Sequence, residues 1–207
     1  MKCFVIIICL IGLGSPRLDA RSSYVIATGL KPPLVSDQNR QGFLDTLVKK
    51  AFRRLDLQLE VIILPAERVL LNANRGIEDG CLLRIKGLEK RYPNLVRVPE
   101  MLMVSEFVAY STAVIGSDPD LKKYQPYSLA YITGWQIFDT LFANHPYLTR
   151  VKDADQMFTL LKVGRVDAVL YERWQGLGLL RAMQIKDVRL VHPPLVSKDM
   201  YMYLHKS

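Results

Sequence analysis

Two kinds of apolar pattern alternate along this chain, and that alternation constrains its fold more than any other feature. Tyr24 to Thr28 is a short, β-prone apolar run ended by the Pro32-Pro33 loop. Phe43 to Leu55 then carries Leu44, Leu47, Val48, Ala51, Phe52 and Leu55 at the spacing of one helix face. Leu57 to Leu64 reads as a buried strand. Pro65 opens a helix over Ala66 to Asn74 and Gly76 stops it, the usual asymmetry of helix punctuation. Gly87 to Tyr92 reads as a helical turn stopped by Pro93, and Val96 to Tyr110 as one or two extended segments.

A second series follows. Leu129 to Ile132 is an expected strand, Trp135 to Ala143 a helix, and Leu148 to Val151 a short strand. Asp153 can cap the next helix with Gln156 completing a capping box, and Gly164 closes that helix. Val166 to Tyr171 is an expected strand and Trp174 to Met183 a helix, with Val188 to Val191 and Met200 to Leu204 as the last strands. This order predicts an α/β fold with largely parallel, helix-covered sheets. There are no repeats and no obvious flexible linker, so two lobes would be joined by strands that cross between them.

The first twenty residues have a different character. Lys2 precedes an apolar run from Cys3 to Leu13, which Gly14, Ser15 and Pro16 break before Ala20. That is the layout of a secretory signal peptide, and the run is shorter than the ~20 residues a spanning helix needs. Cleavage after Ala20 would leave 187 of the 207 residues in the mature, exported chain. It would remove Lys2 and Arg17 from 28 basic residues and Asp19 from 20 acidic ones, leaving 26 against 19. Export makes nucleic acid a poor partner for this excess of positive charge. Lys49, Lys50, Arg53 and Arg54 fall on the polar side of a helix and read as a solvated face.

Cys3 and Cys9 lie in the expected signal peptide, so Cys81 remains alone. It cannot form an internal disulfide and reads as a small apolar residue rather than a nucleophile. The chain has no phosphate-cradling glycine motif, no Gly-x-Ser-x-Gly elbow and no Cys-x-x-Cys. His145, His192 and His205 are isolated, without metal-ligand spacing. No catalytic residue, metal site or cofactor is expected.

Several segments, in order, resemble one protein family. They are Gly42-Phe43-Leu44-Asp45, Leu64-Pro65-Ala66-Glu67-Arg68, Gly76-Ile77-Glu78-Asp79-Gly80, Tyr92-Pro93-Asn94-Leu95, Leu161 to Val169, and Asp199 to Tyr203. From Tyr24 onward the chain is similar to the bacterial extracellular solute-binding proteins, including the amino-acid receptors of ABC importers. The resemblance implies a two-lobed periplasmic-binding-protein-like fold of type II, with a ligand cleft between lobes that close by hinge bending. Residues 21–109 plus 191–207 would form lobe 1 and residues 110–190 lobe 2. Crossings near Val108-Ala109-Tyr110 and Leu190 to Leu195 would form the hinge. Family members usually continue past the last strand with a helix packed on lobe 1. This chain stops at His205-Lys206-Ser207, so that C-terminal helix is expected to be missing.

Strand-to-helix loops face the crevice in open α/β sheets, and they supply the candidate ligand-binding residues. Arg68, one turn past Pro65, can hold a carboxylate bidentately or be a surface arginine; the family match favours the first. Glu67 can take an ammonium group or merely suit a helix N-terminus. Asp79 and Arg84 flank an apolar turn, where Asp79 either lines the cleft or shapes the turn. Ser111 and Thr112 stand at the expected hinge exit. Tyr171, Glu172 and Arg173 follow a buried strand: the tyrosine to stack or hydrogen-bond, the glutamate to meet a cation, the arginine an anion. Trp135 and Trp174 open helices and read as packing residues.

The expected function is therefore a periplasmic receptor for a small polar solute, an amino acid or related carboxylate. As a monomer it would pass the solute to an ABC permease or a membrane sensor. One rival is an enzyme on the same bilobal fold, of the dehydratase or glycan-cleaving type. Another is an interaction protein that binds no small molecule.

Overall fold

The computed structural model describes residues 23–36 and 41–206, with only the backbone described for Ala66 and Glu67. The expected signal peptide lies outside the described residues. Among the described residues, nine strands form one mixed sheet: β1 (Ser23–Thr28), β2 (Gln58–Ile63), β3 (Gly80–Arg84), β4 (Leu95–Ser111), β5 (Leu129–Ile132), β6 (Leu148–Val151), β7 (Ala168–Glu172), β8 (Arg189–Leu190) and β9 (Val196–His205). The main path runs β2-β1-β3-β9-β4-β7-β5-β6, with β8 beside β4. Five α-helices cover it: α1 (Phe43–Arg53), α2 (Ala66–Asn74), α3 (Gln136–Leu141), α4 (Ala154–Lys162) and α5 (Arg173–Ala182).

The parallel pairs are β1-β2, β1-β3, β5-β6 and β5-β7. The antiparallel strands β4 and β9 join the two parallel groups into a two-lobed α/β fold. β4 links the groups through both of its edges: on one, Leu95 to Phe107 pairs with β9 and Tyr110 and Ser111 with β8; on the other, Phe107 to Ser111 pairs with β7. Pro99 lies inside β4, and the register with β9 shifts between Arg97 and Met101 and again by Met103. Proline cannot donate to a strand ladder, so a strand carrying one accommodates it at such an irregularity.

Side-chain alternation places helices on both faces of the sheet. In the first lobe, Ile26, Leu82 and Met202 face Leu44 and Val48 of α1, while their neighbours Ala27, Cys81 and Tyr203 face Val69 and Ala73 of α2. In the second lobe, Ala130, Val169 and Tyr171 pack on Met157, Phe158 and Leu161 of α4, while Leu129, Tyr131 and Leu170 pack on Phe138 of α3. Each fully buried leucine of this kind stabilises the fold by about 1.5–3 kcal/mol. With both faces covered, the open crevice is left at the carboxyl ends of the parallel strands.

Local signals explain several boundaries. Asp153 caps α4 by accepting the Gln156 N–H at 2.8 Å, and the Gln156 side chain accepts from Lys152 rather than from the cap residue. Buried Asp45 in the first turn of α1 accepts the N–H groups of Gly42 and Ser36 at 3.0 and 2.9 Å. α1 ends two residues before Leu55, where Asp56 turns the chain with φ of 56°. The main departure from expectation is β3. The apolar stretch after Asp79 is a strand rather than a turn, with Gly80 to Leu83 all buried. Five residues covered on both faces show no polar alternation, so their strand character lies in their neighbours. Val188 to Val191 yields only the two-residue β8, whereas the last strand is longer than expected, starting at Val196.

Candidate functional site

The carboxyl ends of β1, β3, β5 and β7 converge on one cavity of about 190 Å³. β1 contributes Gly29 and Leu30 just beyond its end, β3 its last residue Arg84, β5 the following Gly134 and Trp135, and β7 its last residue Glu172. A second cavity, of about 490 Å³, adjoins it through Leu83, Arg84, Gly134 and Met200. Another hollow of about 200 Å³ lies elsewhere on the second lobe, among residues such as Lys122, Thr140 and His145. Its lining includes no shielded polar atom lacking a partner, unlike the first two.

Arg84 owes its position to a backbone irregularity. β3 pairs with β9 at Cys81, the register then shifts, and pairing resumes at Arg84 opposite Tyr201. Inside that shift Leu83 adopts φ of 49°, uncommon for a residue with a side chain. Bulges of this kind re-aim a side chain at the edge of a site. Arg84 is half-buried as a residue, but its Nε and Nη2 are shielded from solvent and have no hydrogen-bond partner in the protein. Desolvation holds the guanidinium below its ordinary pKa, opposed by the neighbouring Cys81 and Tyr92. Burial likewise pushes the Cys81 thiol up, so Cys81 is a neutral core residue.

Glu172 faces Arg84's cavity from the other lobe. It ends β7 and caps α5: Oε2 accepts the Gln175 backbone N–H at 2.9 Å and its side-chain amide at 3.3 Å. Oε1 is shielded and has no partner. Desolvation raises its pKa above the usual 4.5, the N–H groups of Gln175 and Trp174 oppose this, and the charge of Glu106 adds to it. Gln175, 1% exposed, reaches further: its Oε1 accepts the backbone N–H of Lys31 at 2.9 Å. Lys31 follows β1, so Gln175 ties Glu172 to the opposite lobe. Gly178, one turn on, sits where an added Cβ would lie 3.0 Å from Pro33. The Lys31–Asp155 ion pair beside it is exposed and 3.8 Å long, which adds little.

Of the eight candidates whose side chains are described, Arg84 and Glu172 line one cavity; the others stand elsewhere or act locally. Arg68 is exposed on the first turn of α2 and lines neither cavity at the strand ends. The Glu67 side chain lies outside the described residues. Asp79 stands at the opposite end of β3, where its carboxylate accepts the Val25 N–H at 2.7 Å. Ser111 is buried at the far end of β4, paired with Ala168, about 13 Å along the strand from Phe107. Its hydroxyl donates to the Asp167 carbonyl at 2.7 Å and accepts from Ala113 at 3.0 Å. Thr112 beside it is exposed. Tyr171 points to the opposite face of β7 from Glu172, 2% exposed against Phe158 and Trp135, and burial pushes its hydroxyl pKa up. Arg173 is ion-paired to Glu106 through Nη1.

Gln175 carries no signal in the sequence that marks it as a site residue. Trp135, read as a packing residue, does pack, stacking on Phe138 with ring centroids 5.7 Å apart, and it also lines the cavity.

Neither a family model nor a curated protein matches the sequence. Solved structures do. A Gly52Ala mutant of arginine-bound ArgBP from T. maritima matches with a TM-score of 0.70 at 16% identity, covering 90% of this chain and 89% of that one. A histidine kinase sensor domain with similarity to periplasmic binding proteins matches with a TM-score of 0.74 at 13% identity, covering 89% and 83%. The glutamate-bound ligand-binding core of GluR0 from Nostoc punctiforme matches with a TM-score of 0.70 at 16% identity, covering 89% and 85%. Over nine-tenths of its length, the chain has the fold of the periplasmic binding proteins.

Proposed function

We propose that this protein is a receptor for a zwitterionic amino acid, held between its lobes with the carboxylate on Arg84 and the ammonium group on Glu172. One observation carries the reading. A guanidinium with two shielded, unpartnered nitrogens and a carboxylate with one shielded, unpartnered oxygen line the same cavity. Buried polar groups are ordinarily hydrogen-bonded, and an unpaired buried charge is costly. A molecule with one anionic and one cationic end satisfies both groups at once, and a guanidinium suits a carboxylate by its planar fork. The resemblance to amino-acid-binding structures supports the reading.

The lobe boundary falls at Phe107, where the pairing of β4 with β9 on one edge ends and its pairing with β7 on the other begins. Closure about that strand brings the Lys31 backbone onto Gln175. The receptor serves an importer or a membrane sensor; its structural neighbours include an amino acid ABC transporter substrate-binding protein and a histidine kinase sensor domain. It acts after export, with a mature N-terminus near Arg21. N-terminal sequencing of secreted protein checks that point, and Met1 as the first residue contradicts it.

Calorimetry with free amino acids and with their N-acetyl and amide derivatives tests the reading. Free amino acids should bind and both capped forms should lose most of the affinity. Equal binding of capped and free forms would sink the assignment of both charges.

A further inference from the structure

The two adjoining cavities also bear on which amino acid the site takes. The small cavity surrounds Arg84 and Glu172 with Leu30, Phe107, Trp135 and Ile137. The larger one, entered past Leu83 and Met200, is walled by Leu70, Leu71, Ile85, Leu88 and Tyr92. Among the described residues lining the two, the charged ones are Arg84, Glu172 and Arg91. A zwitterion's backbone groups neutralise the first two. Arg91 remains, an exposed arginine with its guanidinium 5.7 Å from the centre of the Tyr92 ring.

Resting on the zwitterion reading, we infer that the ligand carries an uncharged, apolar side chain, which lies in the larger cavity, and that a cationic side chain is excluded. Leucine, isoleucine, methionine or another bulky apolar group would bury its surface against leucines and a tyrosine, gaining about 25 cal/mol per Å². A guanidinium or ammonium side chain would lose hydration in the same place, meet no described carboxylate beyond the one already engaged, and face Arg91. An acidic side chain would lose the same hydration among leucines, and exposed Arg91 would offset only part of that cost. The specificity therefore departs from the arginine-bound neighbours with the same fold, because sites and not folds carry function.

The test is calorimetry on the full chain with L-leucine, L-methionine, L-arginine and L-glutamate, run beside N-acetyl-leucine and leucinamide. Leucine and methionine should bind, with arginine at least about 100-fold weaker, as expected where a charged side chain is desolvated without a partner. Arg91→Glu, on an exposed residue, should raise arginine affinity by about 10-fold and change leucine affinity little. Arginine or glutamate binding as tightly as leucine, with the capped forms still rejected, would overturn the side-chain inference alone. An Arg91→Glu protein that gained no arginine affinity would remove Arg91 from the account of exclusion. Indifference to the caps, or failure of every free amino acid to bind, would overturn the zwitterion reading and this inference with it.

Discussion

The two walls of the cleft hold their charges differently. On the first lobe, Arg84 reaches the cavity from a bulged strand end, beside a left-handed Leu83, with two shielded nitrogens unanswered. On the second, Glu172 is half answered already, its Oε2 taking two donors from Gln175 at the start of α5. A helix N-terminus also favours the negative charge placed on it. The difference teaches that preorganisation is uneven. The carboxylate is oriented before a ligand arrives, whereas the guanidinium, beyond its hydrogen bond with Cys81, leaves Nε and Nη2 for the ligand. Variants on the Arg84 side should therefore cost more binding than variants on the Glu172 side.

Arg84→Ala carries the largest expected effect: a loss of about 2–5 kcal/mol in binding, the range for removing one partner of a buried charge pair. The unliganded variant should melt no lower than the parent, because a desolvated, unpaired guanidinium has been removed. A Tm drop of many degrees without ligand would show that Arg84 is a structural residue, and the comparison would break there. Glu172→Gln should cost less, about 1–3 kcal/mol of binding by calorimetry, since the amide oxygen can still accept from Gln175. An equal or larger loss than Arg84→Ala would reverse the proposed asymmetry.

The same glutamate sets a pH dependence. Its folded-state pKa is raised above 4.5, mainly by burial, so its contribution to stability is complete below the unfolded value and is lost as pH rises through the raised one. The unliganded protein should thus lose stability across that window, and the Glu172→Gln variant should lose less. An ammonium ligand favours the charged form, so binding in the window should release a proton, seen as a buffer-dependent calorimetric enthalpy. Proton uptake instead would contradict the placement of the ammonium group on Glu172.

Gln175→Leu keeps the volume and removes both hydrogen bonds, to Glu172 and to Lys31. It should weaken binding by about 1 kcal/mol and leave a larger radius of gyration at saturating ligand than the parent shows. Compaction as complete as in the parent would mean that closure does not run through Gln175. The smallest effect belongs to Arg68→Ala, an exposed position that should change affinity and stability by no more than about 0.5 kcal/mol. A loss of several kcal/mol there would restore Arg68 as a carboxylate ligand.

Arg68 and Arg84 show where sequence reading stops. Pro65, Gly76, Asp153 and Gly164 punctuate the chain through local rules, so the βα order and most boundaries were legible from residues a few positions apart. Arg68 stood out because it follows such punctuation. Arg84 reaches the cavity only because β3 pairs irregularly with β9, a contact between residues 84 and 201 that no local pattern records. Arg173 looked as available as Glu172, but Glu106, 67 positions away, occupies it. Asp79 and Ser111 lie at strand ends, as expected of site residues, yet at the ends away from the cleft; strand direction within the sheet decides that. Gln175 offered no signal at all, being one uncharged residue inside a helix.

The central claim is that Arg84 and Glu172 hold opposite ends of one ligand. The most direct test measures leucine, leucinamide and N-acetyl-leucine binding to the parent, Arg84→Ala and Glu172→Gln. If the assignment holds, Arg84→Ala will erase the preference for leucine over leucinamide and keep the preference over N-acetyl-leucine. Glu172→Gln will do the reverse. Both preferences surviving in both variants would show that other residues hold the ligand's charged ends.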